Sequence, residues 1–215
     1  MHSSPLINQN LVFVISGPSG GGKSTVTQVL CDTDKTLRLS ISATTRIARP
    51  EEIDGQDYHF FTKPLFEKKI QNNYFIEWAK YREHYYGTPK SELDTSQREG
   101  KDTVLEIEVN GALQIKKQNL KPARSILIFL IPSTYDILEK RLRGRKTESE
   151  EELKNRLEIA KTELRQIYQY DYCVVNPENK IEQAVTQIQN IISAERSRIN
   201  TDQTTTLLQT FGLPQ

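Results

Sequence analysis

The sequence predicts an α/β fold, a doubly wound parallel sheet with helices on both faces, interrupted by a small α+β insertion. Three observations predict it. Five short apolar runs recur along the 215-residue chain, at 11–15, 37–41, 103–109, 125–131 and 172–175. They are continuous rather than alternating, as expected for strands covered on both faces. Helical periodicity fills much of the sequence between them, and strand–helix alternation is how a parallel sheet is built. A glycine-rich phosphate-loop pattern also sits at the first strand–helix junction.

Residues 11–15, Leu-Val-Phe-Val-Ile, have the β-branched and aromatic character of a buried strand. Gly17-Pro18-Ser19-Gly20-Gly21-Gly22-Lys23-Ser24 follows and matches G-x-x-x-x-G-K-[ST]. Residues 24–30 can form the helix that must stand behind such a loop, giving a P-loop NTPase-type core. Glycines let the backbone turn so that its N–H groups point inward at a helix N-terminus, a concave anion site. Lys23 supplies a point charge for the β- and γ-phosphates, and the Ser24 hydroxyl is a ligand for Mg²⁺ carried with the nucleotide. The loop from Gly17 through Thr25 is therefore expected to bind ATP.

From 42 to 91 the pattern changes. This stretch is rich in Tyr, Phe and charge, punctuated by Gly55 and Gly87, and reads as short antiparallel strands around one helix at about 64–71. The strand at 103–109 places Glu106 and Glu108 on one face at a parallel strand's C-terminal end. Such carboxylates can orient Mg²⁺ through water or hold phosphate-binding arginines.

Further on, Ser133 after Pro132 is the expected cap of a helix carrying Ile137, Leu138 and Leu142. Leu153, Leu157, Ala160, Leu164 and Ile167 form one apolar stripe, with Ser149 and Glu152 as a capping box at its start. Between these helices lies Lys140-Arg141-Leu142-Arg143-Gly144-Arg145-Lys146. Alone, it could be a nuclear-localisation or RNA-binding patch. Residues 201–215, rich in Thr and Gln, read as a loose tail.

Composition removes several function classes. Lys and Arg number 29 against 28 Asp and Glu, so no overall basic field draws the chain to nucleic acid. The longest purely apolar run, Ile126 to Ile131, is far short of the ~18–20 residues a membrane span needs. The first 15 residues carry no secretory pattern. Cys31 and Cys173 are isolated and His2, His59 and His84 scattered, which excludes a zinc or disulfide scaffold and points to a reducing, cytoplasmic compartment. Nothing chooses between a monomer and a homodimer.

A second anion site is visible in Ser42-Ala43-Thr44-Thr45-Arg46-Ile47-Ala48-Arg49, which sets two arginines three residues apart beside a cluster of hydroxyls. Asp57-Tyr58-His59-Phe60, Phe75-Ile76-Glu77-Trp78 and Tyr85-Tyr86-Gly87-Thr88 follow. Together with the phosphate loop, these motifs closely resemble the guanylate kinase family, over about residues 11–192. The resemblance implies transfer of the ATP γ-phosphoryl group to GMP or dGMP. It implies that Arg46, Arg49, Tyr58 and Tyr86 meet the GMP phosphate, with Glu52, Glu106 and Glu108 also on the GMP side. Ser42, Glu77 and Thr88 fall where the family reads guanine. The chemistry agrees: guanine offers N1–H and the 2-amino group as adjacent donors to one carboxylate, and O6 and N7 as acceptors for hydroxyls. Adenine would leave that carboxylate unpaired.

The basic run falls where the family carries its lid, so Arg141, Arg145 and Arg156 are implied to meet the ATP phosphates and the transition state. Arg143 is expected to be solvated. Asn176 is implied to lie near the adenine or ribose. The family usually has Asp where this chain has Glu108. The implied layout is one domain over 1–200, with a core at about 11–41, 92–139 and 158–200, the insertion at 42–91 and the lid at 140–157. The alternatives are a guanylate-kinase-like interaction module without catalysis, or a related kinase for another small phosphate ester. Intact Lys23, Ser24 and lid arginines disfavour the first, and the Glu77/Thr88 pair disfavours the second.

Overall fold

The computed structural model describes residues 11–81, 83–118, 120, 123–144, 150–199, 204 and 208–213. Strand β1 (Leu11–Ser16) runs into the glycine loop and helix α1 (Lys23–Thr33), followed by β2 (Leu37–Leu39). The insertion comprises β3 (Ala43–Thr44), β4 (His59–Phe60), α2 (Lys63–Gln71), β5 (Phe75–Tyr81) and β6 (His84–Pro89). Helix α3 (Ser91–Arg98), β7 (Asp102–Glu106), α4 (Val109–Gln118) and β8 (Arg124–Pro132) return the chain to the core. Two helices, α5 (Tyr135–Arg143) and α6 (Glu150–Leu164), precede β9 (Tyr172–Asn176) and α7 (Ile181–Arg196).

The main sheet has the order β2-β7-β1-β8-β9, and every neighbouring pair is parallel. Strand β1 is buried along its whole length because it is central and covered on both faces. Leu11, Phe13 and Ile15 pack with Val26 and Leu30 of α1 and Ala184, Val185, Ile188 and Ile192 of α7. Val12 and Val14 pack on the opposite face with Leu105, Ala112 and Ile115. That division between odd and even residues is the two-residue period of a strand, and it is why the apolar run could be continuous.

Asp102 pins the start of the sheet. Its carboxylate accepts the Leu11 amide at 2.9 Å and Arg196 Nε at 2.8 Å, tying β1, β7 and α7 together.

The insertion has its own sheet, β4-β3-β6-β5. Its small core is Ala43, Phe66 and Phe75. Phe66 stacks on Phe75 at 4.4 Å and on Tyr85 at 5.4 Å between ring centroids. The sheet is mixed rather than antiparallel as expected: β3 pairs parallel with β4, while the β3–β6 and β5–β6 pairs are antiparallel. The chain between β3 and β4 makes a wide excursion through the Arg46–Glu52 segment, which a two-residue hairpin turn would not permit.

Leu138 and Leu142 of α5 pack against Leu153, Leu157 and Ala160 of α6, so most of the predicted stripe is confirmed. Ile167 lies beyond it, in a short 3₁₀ turn (Ile167–Gln169), and is partly exposed. Thr134, not Ser133, caps α5: its hydroxyl accepts the Ile137 amide at 3.2 Å. Both sites carry a hydroxyl, and the helix starts one residue later than Pro132 suggested. Arg143, expected to be solvated, is half-exposed and bridges Glu139 on α5 at 2.9 Å and Glu150 on α6 at 2.6 Å. Ser149 of the predicted capping box lies outside the described residues, as do Arg145 and most of the tail. In the tail, residues 208–210 form a helical turn.

Candidate active site

The glycine loop leaves the C-terminal end of the central strand and ends at the N-terminus of α1. Gly22, at φ 88°, sits in the left-handed region immediately before the helix, a conformation that a side chain would strain. Gly17 passes against the Leu130 backbone so closely that a Cβ there would collide with the carbonyl. The first-turn amides of α1 lack intrahelical acceptors and face the loop's concavity. Lys23 Nζ lies 2.7 Å from the Gly17 carbonyl oxygen and 3.2 Å from that of Pro18, held over the loop.

Ser24 Oγ donates to Glu106 Oε1 at 2.5 Å, and Thr27 Oγ1 donates to Glu106 Oε2 at 3.2 Å. Glu106 is thus held by the hydroxyls of α1, rather than by Arg46 or Arg49. A hydroxyl and a carboxylate side by side at the phosphate loop are hard oxygen donors, which suit Mg²⁺. Among the described residues no cluster of three or more His, Cys, Asp or Glu side chains is arranged to hold a metal by itself.

Glu108 and Glu163 also face the cleft. Burial pushes the Glu108 carboxyl up to about 7, against the pull of Lys23 and with Glu163 adding to the rise. Burial likewise raises Glu163, although Lys23 and the Ser19 backbone amide favour its charged form. Sequence reasoning missed Glu163. It stands two helical turns after Arg156 on α6, and that seven-residue spacing was the available signal. Arg156 is 5% exposed and donates to Ser19 Oγ at 2.7 Å, so both α6 residues reach the same point of the loop.

On the other side of the loop, Arg141 donates to the carbonyls of Asn176 at 3.2 Å and Pro177 at 3.4 Å. Asn176 Nδ2 donates to the Gly21 carbonyl at 2.9 Å. These two residues, with Gly20, Gly22, Thr25 and Pro177, line a side pocket of about 460 Å³ next to the glycine loop.

The second cradle belongs to the insertion. Arg46 forms a two-pronged ion pair with Glu52, at 2.6 and 2.8 Å, and Glu52 also accepts the Arg49 amide at 2.7 Å. Hydrogen bonding from Arg46 pulls the Glu52 carboxyl down to about 2, well below the usual carboxylate range. The Arg46 guanidinium lies 5.5 Å from the Tyr58 ring and 5.8 Å from that of Phe60. Tyr58 meets Tyr86 edge-on at 6.3 Å. Arg49 is exposed at the mouth, with Glu52 at 4.0 Å.

Glu77 lies deeper, on β5. A register irregularity between Phe75 and Glu77 turns Phe75 into the insertion core and Ile76 into the main one, leaving Glu77 at the cleft. Thr88 Oγ1 donates to Glu77 Oε1 at 2.7 Å, and Glu77 is 5% exposed. Burial pushes its carboxyl up to about 7, resisted by Thr88 and assisted by the Glu108 charge. Gly111 of α4 packs directly on this carboxylate, a second contact that the sequence reading missed. Its signal was a glycine interrupting a helical pattern.

One cleft of about 800 Å³ is lined by both cradles. Lys23, Ser24 and Arg156 stand along it with Ser42, Arg46, Arg49, Tyr58, Glu77 and Tyr86. The structure therefore brings together most of the residues singled out from sequence. Thr88 reaches the site through Glu77, Glu52 through Arg46, and Arg141 and Asn176 stand on the loop's other flank.

Among the described residues, no helix is long and apolar enough to cross a membrane. Residues 9–195 match the family model for guanylate kinase. The chain is 43% identical over 192 residues to a guanylate kinase of Caldanaerobacter subterraneus subsp. tengcongensis, covering 89% of this chain and 91% of the relative. It is 44% identical to one from Lactococcus lactis, again covering 89% and 91%. The crystal structure of guanylate kinase from Anaplasma phagocytophilum superposes with a TM-score of 0.75 at 28% identity, covering 98% of this chain and all of that one. The chain belongs to the guanylate kinase family.

Proposed function

We propose that this chain transfers the γ-phosphoryl group of ATP to GMP, and to dGMP, giving ADP and GDP, with one nucleotide in each cradle. The observation that carries this reading is the shared cleft: Lys23 and the Arg46/Arg49 pair line the same space, so two phosphates can meet there. Phosphoryl transfer needs positioning and positive charge around the transferring group more than it needs covalent chemistry.

In this reading the Gly17–Thr25 backbone and Lys23 hold the ATP phosphates. Arg156, Arg141 and Arg145 add charge from the lid at 140–157, and Asn176 and Pro177 flank the adenosine end. Ser24, supported by Glu106, would hold Mg²⁺, which neutralises charge on the β- and γ-phosphates when bound. The phosphate of GMP sits on Arg46, Arg49, Tyr58 and Tyr86, with Glu52 fixing the Arg46 fork. Glu77 accepts guanine N1–H and the 2-amino group, while Thr88 and Ser42 serve O6 and N7. Glu108 lines the cleft between the two sites with a carboxyl that burial raises to about 7. A cytoplasmic setting and a role in purine nucleotide metabolism accord with this chemistry.

A coupled assay of ADP release with ATP against GMP, dGMP, AMP, UMP and CMP tests the proposal. Turnover confined to GMP and dGMP is expected. Turnover of AMP equal to that of GMP would overturn the base assignment, and no turnover with any acceptor would overturn the reaction.

A further inference from the structure

We propose that Gly111, with Gln114 and Gln118 on the same face of α4, is a positioning residue that sets where the guanine-reading carboxylate of Glu77 can stand. The inference deepens the guanine assignment and rests on it.

Among the described residues, strand β5 is an edge of the insertion sheet, with β6 its sole strand neighbour. Its outer side is met by a helix. Gln114 Oε1 accepts the Trp78 amide at 3.3 Å, and Gln114 Nε2 donates to the Trp78 carbonyl at 2.7 Å. One turn on, Gln118 Nε2 donates to the Ile76 carbonyl at 2.7 Å. These side-chain amides stand in for a further strand at an edge that would otherwise expose its backbone groups. They also fix the height of α4 relative to residues 76 and 78, on either side of Glu77.

Gly111 lies one turn before Gln114, so the spacings of three and four put all three residues on one helix face. A Cβ added at Gly111 would fall inside contact distance of Glu77 Oε2 and 3.0 Å from its Cδ. The carboxylate has no easy retreat. It is 5% exposed, tied to Thr88 at 2.7 Å on its other oxygen, and its strand is clamped by Gln114 and Gln118.

Gly111 is otherwise a poor choice. Its φ is not positive, so no backbone conformation demands glycine there. It is the third residue of α4, where alanine would suit the helical backbone at least as well as glycine. A residue that lowers helix propensity with no conformational reason has a packing reason, and here the packed group is the carboxylate. Oε2, the oxygen beside Gly111, is the one that the Thr88 hydroxyl does not engage. Its displacement should therefore be felt at the 2-amino group or N1–H of the base.

The test is Gly111→Ala, assayed at saturating ATP for GMP and inosine monophosphate, which lacks the 2-amino group, together with ATP KM and thermal midpoint. A carboxylate misplaced by about 1 Å can lose roughly 100-fold, so a rise of about 10- to 100-fold in GMP KM is expected, with ATP KM within about twofold and a modest fall in thermal midpoint from the strain of the added methyl group. GMP should lose more than inosine monophosphate. Adding Glu77→Asp, which draws the carboxylate back by a methylene, should recover GMP binding relative to Gly111→Ala alone.

A GMP KM within about twofold of the parent overturns the proposal, as does an equal loss for ATP and GMP or a double variant no better than the single one. Glu77→Gln, measured alongside, separates the two levels. If it weakens GMP while Gly111→Ala is silent, only the positioning role falls; if it is silent too, the guanine reading itself has failed.

Discussion

Replacing Glu77 by Gln should make the protein without nucleotide more stable at neutral pH while weakening its hold on GMP. In the folded state the carboxyl releases its proton at about 7, against an ordinary value of 4.5. The sign follows from counting protons. Between those values the folded chain keeps a proton that the unfolded chain has lost, so stability is greatest below about 4.5 and declines as pH rises through about 7. A gap of about 2.5 units, at 1.36 kcal/mol each, is about 3 kcal/mol of burial penalty at pH 8. Gln carries no such penalty and can still accept from the Thr88 hydroxyl. Thermal melts of parent and variant from pH 5 to 8.5 would read this as a variant advantage growing with pH to about 6–12 °C at this chain length. Glu108 is raised similarly, so the parent's pH slope should be reduced rather than abolished in the single variant. Parallel pH curves for the two proteins, or a variant less stable at pH 8, would refute the reasoning that Glu77 is held at a cost to stability for the sake of ligand.

Three further outcomes are expected. Lys23→Ala should lower kcat about 10²- to 10³-fold and leave GMP affinity, measured by calorimetry, within about threefold; equal loss of both would mean that the two cradles do not act separately. Glu52→Gln should loosen the Arg46 fork and raise GMP KM about tenfold, with ATP KM unchanged; an unmoved GMP KM would leave Glu52 no orienting role. Asp102→Ala leaves the buried Leu11 amide without its acceptor and takes one partner from Arg196, which keeps Asp34 and Thr36, and should cost about 2 kcal/mol of stability with kcat at 25 °C preserved. Denaturant titration checks the first part, and a change below about 1 kcal/mol would show the network to be dispensable.

The parallel sheet was legible because its information is local: each strand is a continuous apolar run, and Leu11 to Ile15 divide between two covered faces by simple alternation. The glycine loop was legible for the same reason, since eight consecutive residues carry the chemistry. What escaped was set by contacts between distant segments. Gly111 meets Glu77 and Glu163 faces Lys23 only because α4 and α6 pack against the cleft; a glycine in a helical pattern and the Arg156–Glu163 spacing mark the residues, but nothing in either stretch names the partner. The parallel β3–β4 pair depends on the path of the Arg46–Glu52 excursion, which strand periodicity does not encode. The shift of the α5 cap from Ser133 to Thr134 is a smaller matter, because either hydroxyl could have served.

Two carboxylates on the GMP side show why residue type alone does not assign a role. Glu52 is pulled down to about 2 by the Arg46 fork, and Glu77 is pushed up to about 7 by burial. Glu52 therefore remains ionised throughout the working pH range and acts as a fixed brace, its charge already matched by a guanidinium. Glu77 has a hydroxyl for a partner rather than a cation, so its charge is compensated best when donors arrive from a ligand. A base with two adjacent N–H donors supplies that compensation, and one without them leaves a buried charge or forces a proton onto it. GMP affinity should consequently weaken as pH falls below about 7, approaching tenfold per unit well below that value, and the GMP phosphate, with its own pKa near 6, adds a second step. Glu77→Gln separates the two, because it removes the upper step and leaves the phosphate step in place. The selectivity and the pH limb thus come from one cause, a carboxylate buried beside Thr88 and Gly111 and paired with no cation among the described residues.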